Sequence, residues 1–124
     1  MRRELHIPKS IQEWRACEHD FDWHIDLQPE GSFWIYPLLK ANGYKVLVYS
    51  GDTDGAVPTY GTQRWINELN WPIKKDWAPW YSNDGTKEDQ LQVQGFKIEY
   101  EGLTFMTIHG VGHMAPAWRK KEVL

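Results

Sequence analysis

Residues 44–58 read Tyr-Lys-Val-Leu-Val-Tyr-Ser-Gly-Asp-Thr-Asp-Gly-Ala-Val-Pro. Val46 to Tyr49 form an apolar, β-branched run that is too short for a helix and is bounded by turn residues, which predicts a parallel strand buried on both faces. The strand leads into a loop, residues 50–55, that holds two glycines and two carboxylates. In open α/β sheets ligands and catalytic groups gather at the carboxyl ends of strands, so Asp52 and Asp54 are candidate site residues.

A purely structural role is the alternative for both acids. Aspartate favours such loops because its carboxylate makes side-chain turns, and a helix is predicted to begin near Pro58. The other end of the chain favours a chemical role. Leu103 to Ile108 predicts a second strand, and a Gly-rich loop with His109 and His113 follows it. An acid loop and a histidine loop, each after a strand, are the orienting and proton-transferring parts of a nucleophilic triad.

Both loops resemble those of the serine carboxypeptidases, a family of α/β-hydrolases. The resemblance lies in Tyr-Ser-Gly-Asp-Thr-Asp-x-x-Val-Pro at residues 49–58 and in Gly-His-Met-x-Pro at residues 112–116. The acid precedes the histidine, as it does in that fold, where the serine comes earlier still. Similar segments extend along nearly the whole chain, among them residues 3–8, 77–80 and 92–105.

The resemblance implies roles for four charged or titratable residues. Asp54 matches the catalytic acid and His113 the catalytic histidine. His113 would take the proton of a serine hydroxyl and return it to the leaving amine, while Asp54 holds its tautomer. Asp52 matches a position that supports the loop. His109 matches no catalytic position, which favours a structural role.

Three glycines and a methionine complete the predicted site. Gly51 is assigned to loop support together with Gly110 and Gly112, which are predicted to take backbone conformations closed to other residues, so that the imidazole reaches the neighbouring loop. Met114 resembles a residue that lines the pocket for the departing C-terminal residue of the substrate. Packing in the core is the alternative for Met114.

The resemblance also implies that the fold is incomplete. An α/β-hydrolase, a mixed and mostly parallel sheet with flanking helices, usually exceeds roughly 200 residues, so residues 1–124 are expected to be the C-terminal part of one such domain. The nucleophile elbow of this fold is Gly-x-Ser-x-Gly, and none of the four serines has such surroundings. We therefore expect the nucleophile on an upstream segment or a second chain, and expect this chain alone to be inactive.

Cys17 is the only cysteine, so it cannot form a disulfide within the chain. A small buried thiol is one interpretation. In the resembling family a cysteine at this place usually bonds a residue earlier in the polypeptide, and some members are cut into two chains joined in that way. The resemblance implies an interchain disulfide at Cys17, in a chain similar to the smaller of the two.

Composition excludes several classes of partner. The net charge is −3 and the basic residues are scattered, so the sequence predicts no nucleic-acid partner and no polybasic membrane anchor. No apolar run approaches the roughly 20 residues of a membrane span. His19, Asp20, Asp22 and His24 lack the convergent spacing of a known metal motif, so we expect solvated loop residues there and no metal site.

The activity that the resemblance implies is removal of single residues from peptide C-termini through a serine ester, without metal or organic cofactor. It also implies a protein of the secretory pathway, vacuolar, lysosomal or extracellular. Relatives of these peptidases include acyltransferases and hydroxynitrile lyases, so the same fold with another reaction is an alternative. A noncatalytic subunit of a larger assembly is the third hypothesis, which the presence of Asp54 and His113 disfavours.

The remaining elements follow from pattern and from start and stop residues. Apolar spacing predicts an amphipathic helix with Trp65, Ile66 and Leu69 toward the core, and turn-bounded apolar runs predict an antiparallel hairpin. The predicted helices are 2–7, 11–16, 33–40, 60–69 and the start of a closing helix at 118–124, the hairpin strands are 77–81 and 91–100, and 18–31 is predicted to be a loop.

Overall fold

The computed structural model describes residues 10, 31–82 and 92–120. The predicted helices over 2–7 and 11–16, almost all of the predicted loop over 18–31, and Cys17 lie outside the described residues. Within the described residues seven elements follow one another, and their bounds are α1 Ile35–Ala41, β1 Val46–Gly51, α2 Thr59–Glu68, β2 Ile73–Ser82, β3 Gln92–Tyr100, β4 Leu103–Ile108 and α3 Ala115–Trp118.

The four strands form one mixed sheet in the order β1-β4-β3-β2. β1 and β4 are parallel, with Val46 opposite Leu103 and Gly51 opposite Ile108. β2, β3 and β4 pair antiparallel. Because parallel strands end at the same edge of a sheet, the loops after β1 and β4 lie side by side. The sheet therefore places the predicted acid loop next to the predicted histidine loop.

The predicted parallel strand is confirmed in its direction and start, but the prediction that it is buried on both faces is wrong. Val46 and Val48 pack against the core, whereas Leu47 is 59% exposed and Tyr49 is 43% exposed. Within residues 31–82 and 92–120, β1 is an edge strand, and the helices and the core cover only the face of Val46 and Val48. A continuous apolar run indicates apolar surroundings but does not say which segment supplies them.

The core lies between α2 and one face of the sheet, as the amphipathic pattern predicted. Ile66 on α2 is buried, and Trp65 and Leu69 pack beside it. Phe105 on β4 is fully buried, and Trp77 meets it edge-on with ring centroids 5.7 Å apart. These contacts hold α2, which begins at Thr59, against the face of the sheet that carries Phe105.

The predicted hairpin is confirmed, but its first strand begins at Ile73, four residues before the predicted start at Trp77. Residues 73–76 are exposed on the edge of the sheet, and most of them are charged, so they lack the apolar alternation of a half-buried strand. Gly102 makes the turn from β3 into β4 with a φ of +100°.

The helices outside the core differ from prediction mainly at their ends. α1 begins at Ile35, two residues later than predicted, and Pro37 fits because it lies in the first turn, where its missing N–H has no intrahelical acceptor. α3 ends at Trp118, where the closing helix was predicted to begin; Arg119 has a non-helical backbone and Lys120 is helical, while residues 121–124 of the predicted helix lie outside the described residues. Among the described residues no helix is long and apolar enough to cross a membrane.

Candidate catalytic site

The acid loop (residues 51–58) and the histidine loop (residues 109–116) are joined directly through their backbones. The amide of Asp52 donates to the carbonyl of Ile108 at 3.0 Å, and the amide of Thr53 donates to the carbonyl of Val111 at 3.1 Å. Gly51 lies so close to the histidine loop that a Cβ on it would overlap the carbonyl oxygen of Val111. The support that the sequence predicted from Gly51 therefore takes the form of close backbone approach.

The structure brings Asp54 and His113 together. Oδ2 of Asp54 lies 3.2 Å from Nδ1 of His113. The other carboxylate oxygen, Oδ1, accepts hydrogen bonds from the amides of Ala56 at 2.8 Å and Val57 at 3.0 Å. One carboxylate oxygen of Asp54 therefore makes the side-chain turn expected of a structural role, and the other oxygen contacts the imidazole of His113.

The surroundings of Asp54 favour its ionised form. The hydrogen bond from the Val57 amide is the largest cause that lowers the pKa of this carboxyl below its ordinary value, and the Ala56 amide and His113 add to it, while burial opposes them. An ionised carboxylate only accepts hydrogen bonds, so Nδ1 of His113 is the donor of the pair. In the neutral imidazole the lone pair is then on Nε2, on a side chain that is 60% exposed.

Asp52 and His109 form a second Asp–His pair between the same loops. Oδ2 of Asp52 lies 2.7 Å from Nδ1 of His109, and Oδ1 accepts the amide of Gly110 at 2.8 Å. Both side chains are partly exposed, at 31% for Asp52 and 68% for His109. The sequence predicted supporting roles for both residues but did not predict that they would contact each other.

The two glycines of the histidine loop differ from each other. Gly110 has a φ of +71°, in the left-handed region that favours glycine, as predicted. The same prediction for Gly112 is wrong, because Gly112 is not among the described residues with positive φ. A Cβ there would meet Thr53 and Asp54 at ordinary van der Waals distances. The loop changes direction at Gly110, and one left-handed residue is enough for that turn.

A cavity of about 230 Å³ borders the pair, and Tyr49, Ser50 and Val57 contribute to its wall beside Asp54 and His113. The hydroxyl of Ser50 is 2.9 Å from that of Thr59 and within 3.4 Å of the carbonyl oxygen of Gly51. This hydroxyl, at the end of β1, is therefore engaged by Gly51 and by Thr59 at the start of α2, which agrees with the prediction that Ser50 is not the nucleophile.

Met114 lies beside the pair in sequence and is 58% exposed, so the alternative of core packing is wrong. Its predicted substrate-binding role stays a prediction. In the described part of the chain no group of three or more His, Cys, Asp or Glu side chains is placed to hold a metal ion.

One contact of the site escaped sequence reasoning. The hydrogen bonds from the amides of Ala56 and Val57 to Asp54 are those of the side-chain turn that the sequence offered as the structural alternative. The contact between Asp52 and His109 was not predicted, because it depends on the pairing of β1 with β4. The sequence indicates this contact only indirectly. Asp52 and His109 each come directly after the last residue of a strand, and that position predicts a contact only when the register of the two strands is known.

Comparison with known proteins identifies the family. The sequence profile of the family described as "Serine carboxypeptidase" matches residues 1–124. Two similar relatives, both from Arabidopsis thaliana, are serine carboxypeptidase-like 32, 39% identical over 128 residues, and serine carboxypeptidase-like 31, 46% identical over 126 residues. Each alignment covers 100% of this chain, and 26% and 24% of the respective relatives. Serine carboxypeptidase 24 of the same plant is 40% identical over 90 residues, which cover 73% of this chain and 18% of that protein.

The chain thus spans about a quarter of the length of the curated relatives that match all of it. The family has the α/β-hydrolase fold, and the mixed sheet with its flanking helices agrees with that fold. The match to the family profile extends over every residue of the chain. The chain therefore belongs to the serine carboxypeptidase family.

Proposed function

We propose that this chain supplies the acid and the histidine of a Ser-His-Asp triad in a peptidase that removes residues from peptide C-termini. The observation that carries the proposal is the 3.2 Å contact between Oδ2 of Asp54 and Nδ1 of His113. The family membership supports the reaction class, and the low pKa of Asp54 supports the role of a charged orienting group. Asp54 fixes the tautomer of His113 and stabilises the imidazolium that forms.

In this proposal Nε2 of His113 takes the proton of a serine hydroxyl as that oxygen attacks the scissile carbonyl. The proton then passes to the leaving amine, and an acyl-serine ester remains. In the second half of the reaction water attacks the ester, His113 accepts the proton of the water and returns it to the departing serine oxygen, and the shortened peptide leaves as its carboxylic acid. The exposure of the His113 side chain beside the cavity supports access of a second polypeptide segment and a peptide to Nε2.

We place the nucleophilic serine outside residues 1–124, on an upstream segment or a second chain. Two observations support this: the hydroxyl of Ser50, at the end of β1, is engaged by that of Thr59 at the start of α2, and the chain corresponds to about a quarter of the length of its relatives. It follows that the chain alone is inactive.

We also propose that Cys17 bonds that upstream polypeptide, and that the whole protein enters the secretory pathway and acts in a vacuole, a lysosome or outside the cell.

Covalent labelling tests the triad. The chain, produced together with the segment that precedes it in a full-length relative of the family, is treated with a fluorophosphonate, and the labelled residue is identified by mass spectrometry. We expect label on one serine outside residues 1–124. His113→Ala should abolish the labelling, while Glu68→Gln should label normally, because Glu68 is exposed and contacts Arg64 on α2. Label on a serine within this chain, or full labelling of His113→Ala, would contradict the proposal.

The reaction and the disulfide are tested on the same assembled protein. Peptide turnover is compared with acyl transfer to an alcohol acceptor and with cyanohydrin cleavage; faster turnover of either of the latter would replace the peptidase assignment by that reaction. Intact mass is measured with and without reductant. A heavier species that releases this chain on reduction supports the bond at Cys17, and an unchanged mass contradicts it.

A further inference from the structure

The two loops of the site are linked by two Asp–His pairs, of which the triad uses one. We propose that Asp52 and His109 are positioning residues whose contact sets the distance between Asp54 and His113. The inference rests on the proposed function, because it assigns a role in the same reaction. Neither residue touches the reacting atoms in this proposal, and both act through the loop geometry.

The Asp52–His109 pair continues the β1–β4 ladder by one residue. Gly51 and Ile108 are the last paired residues of the two strands, and Asp52 and His109 come directly after them. The backbone of the pair is fixed at both ends: the amide of Asp52 donates to Ile108, and the amide of His109 donates to the carbonyl of Gln94 at 2.7 Å. The side-chain contact therefore joins two points that the sheet already holds in place.

Asp52 uses both carboxylate oxygens for two successive residues of the histidine loop. One oxygen contacts the ring of His109 at 2.7 Å, and the other accepts the amide of Gly110 at 2.8 Å. Gly110 is the residue at which the loop turns, with a φ of +71°. A carboxylate that holds both sides of this turn fixes the direction in which the loop continues toward His113.

The contact between Asp54 and His113, which depends on this turn, is lost after only a small change in distance. The Asp54–His113 distance of 3.2 Å is at the long end of the range for an N–H···O hydrogen bond, so a small opening of the loops breaks it. The pair that would prevent this opening is partly exposed, and exposed ion pairs contribute little to global stability. A role in positioning the loops accounts for the short contact of Asp52 with two residues of the histidine loop at a partly exposed position.

The experiment uses the complete protein, labelled with ¹⁵N at histidine, and five variants of it. His109→Ala removes the contact, and His109→Asn keeps an N–H donor close to the position of Nδ1. Tyr100→Phe is the matched control, because it removes a hydrogen bond between β3 and α2, away from both loops. NMR reports the ring nitrogens of His113 and its Nδ1 proton, which are assigned with His113→Ala, and steady-state kinetics report kcat and KM.

We expect His109→Ala to lose the Nδ1 proton signal of His113 and to lower kcat on the order of 10- to 100-fold, with KM unchanged. His109→Asn should restore both, and Tyr100→Phe should leave both as in the parent protein. Asp52→Asn, which keeps one acceptor oxygen, should give a smaller loss and provides a second measurement if the alanine variant does not fold.

Two results would overturn the inference. One is a parental His113 signal and kcat in His109→Ala, or in Asp52→Asn if the alanine variant does not fold. The other is a loss of the His113 signal and of kcat in Tyr100→Phe equal to the loss in His109→Ala, which would mean that the pair contributes only to general stability. Failure of the proposed function is a separate result, because it appears as normal turnover by His113→Ala, while the NMR signal of His113 still reports whether the pair positions the ring.

Discussion

Gly51 at the end of β1 packs directly against the backbone of Gly112 in the histidine loop. A Cβ on Gly51 would lie 2.6 Å from the carbonyl oxygen of Gly112, closer than such atoms approach in folded proteins, and it would overlap the neighbouring carbonyl of Val111. The atoms it would meet belong to the backbone, so they cannot move aside as a flexible side chain can. The distance between the two loops of the site therefore depends on the absence of a single methyl group.

Gly51→Ala should separate the loops and destabilise the protein by about 1–3 kcal/mol, the usual cost of forcing an extra methyl into a packed site. Activity of the complete enzyme should fall further than stability, because the Asp54–His113 contact spans the same gap. Urea unfolding followed by circular dichroism gives the free energy of unfolding, and peptide turnover gives the activity.

Gly55, in the same loop, provides the matched control. A Cβ there meets nothing within 4 Å, and its φ is not in the left-handed region. Gly55→Ala should leave turnover unchanged and should raise the free energy of unfolding by about 0.4–1 kcal/mol, by restricting the unfolded chain. Equal destabilisation by the two alanine substitutions would contradict the packing argument for Gly51.

Asp54→Asn should lower kcat of the complete enzyme by roughly 10⁴-fold while the loop keeps its shape. The amide oxygen of Asn can still accept the amides of Ala56 and Val57, but its NH₂ group would face Nδ1 of His113. Nδ1 must then accept, so the ring proton moves to Nε2, where the base is needed. Steady-state kinetics with a chromogenic peptide check this, and a loss of less than tenfold would remove Asp54 from the triad.

The low pKa of Asp54 predicts how stability depends on pH. The carboxyl binds a proton more weakly in the folded state than in the unfolded state, so the unfolded chain takes up more protons as the pH falls. The contribution of Asp54 to stability is therefore complete above its ordinary pKa and is lost as the pH falls through the lower, folded value. Urea unfolding at a series of acidic pH values should show a steeper pH dependence for the parent than for Asp54→Asn.

The physical cause of the lowered Asp54 pKa provides a further check on this prediction. The Val57 amide, a short-range hydrogen bond, is the largest contribution, so the difference between the two pH dependences should persist at high salt. A difference that disappears at high salt would indicate long-range charge interactions instead.

Tyr100→Phe should lower the free energy of unfolding by about 0.5–1.5 kcal/mol, because the hydroxyl donates to Oδ1 of Asn67 at 3.0 Å and links β3 to α2. Burial is the main cause that raises the pKa of this phenol above its ordinary value, and the negative charge of Asp76 adds to it. One tyrosine should therefore ionise at a higher pH than an unstructured tyrosine does. An alkaline titration followed by ultraviolet absorbance should show this late step in the parent and not in Tyr100→Phe.

The direction of that effect on stability follows from the raised pKa. The protonated phenol is favoured in the folded state, so its contribution is complete below the ordinary pKa of tyrosine and is lost as the pH rises through the folded value. An unchanged alkaline titration in the variant would assign the late step to another tyrosine.

The strands and the site pair were predictable because their signals are local. The apolar run from Val46 to Tyr49 and the strand at Leu103 to Ile108 each end in a loop with glycines and titratable groups, and the motifs of these two loops carried the resemblance. The exposure of Leu47 and Tyr49 was not predictable, because an apolar run does not say which segment covers it. Residues 73–76 extend β2 without an apolar pattern, since their partner strand rather than burial holds them.

Within the site, the contacts that could not be predicted are those that depend on the register of the strands. Asp54 accepts amides from its own loop, which sequence suggests, but the contact between Asp52 and His109 depends on Gly51 standing opposite Ile108. A shift of the pairing by one residue would place other side chains opposite each other and turn each to the other face. The glycines show the same limit: Gly110 and Gly112 read alike in sequence, and only Gly110 has a positive φ.

The sheet order has a consequence for the folding pathway. The β2–β3 and β3–β4 pairings join strands that follow one another along the chain, whereas the β1–β4 pairing joins residues 57 positions apart and costs more chain entropy. The hairpins should consequently form before β1 joins β4. The last pairing to form is the one that brings Asp54 to His113, so recovery of the histidine's hydrogen bond during refolding would report completion of the native topology rather than collapse of the core.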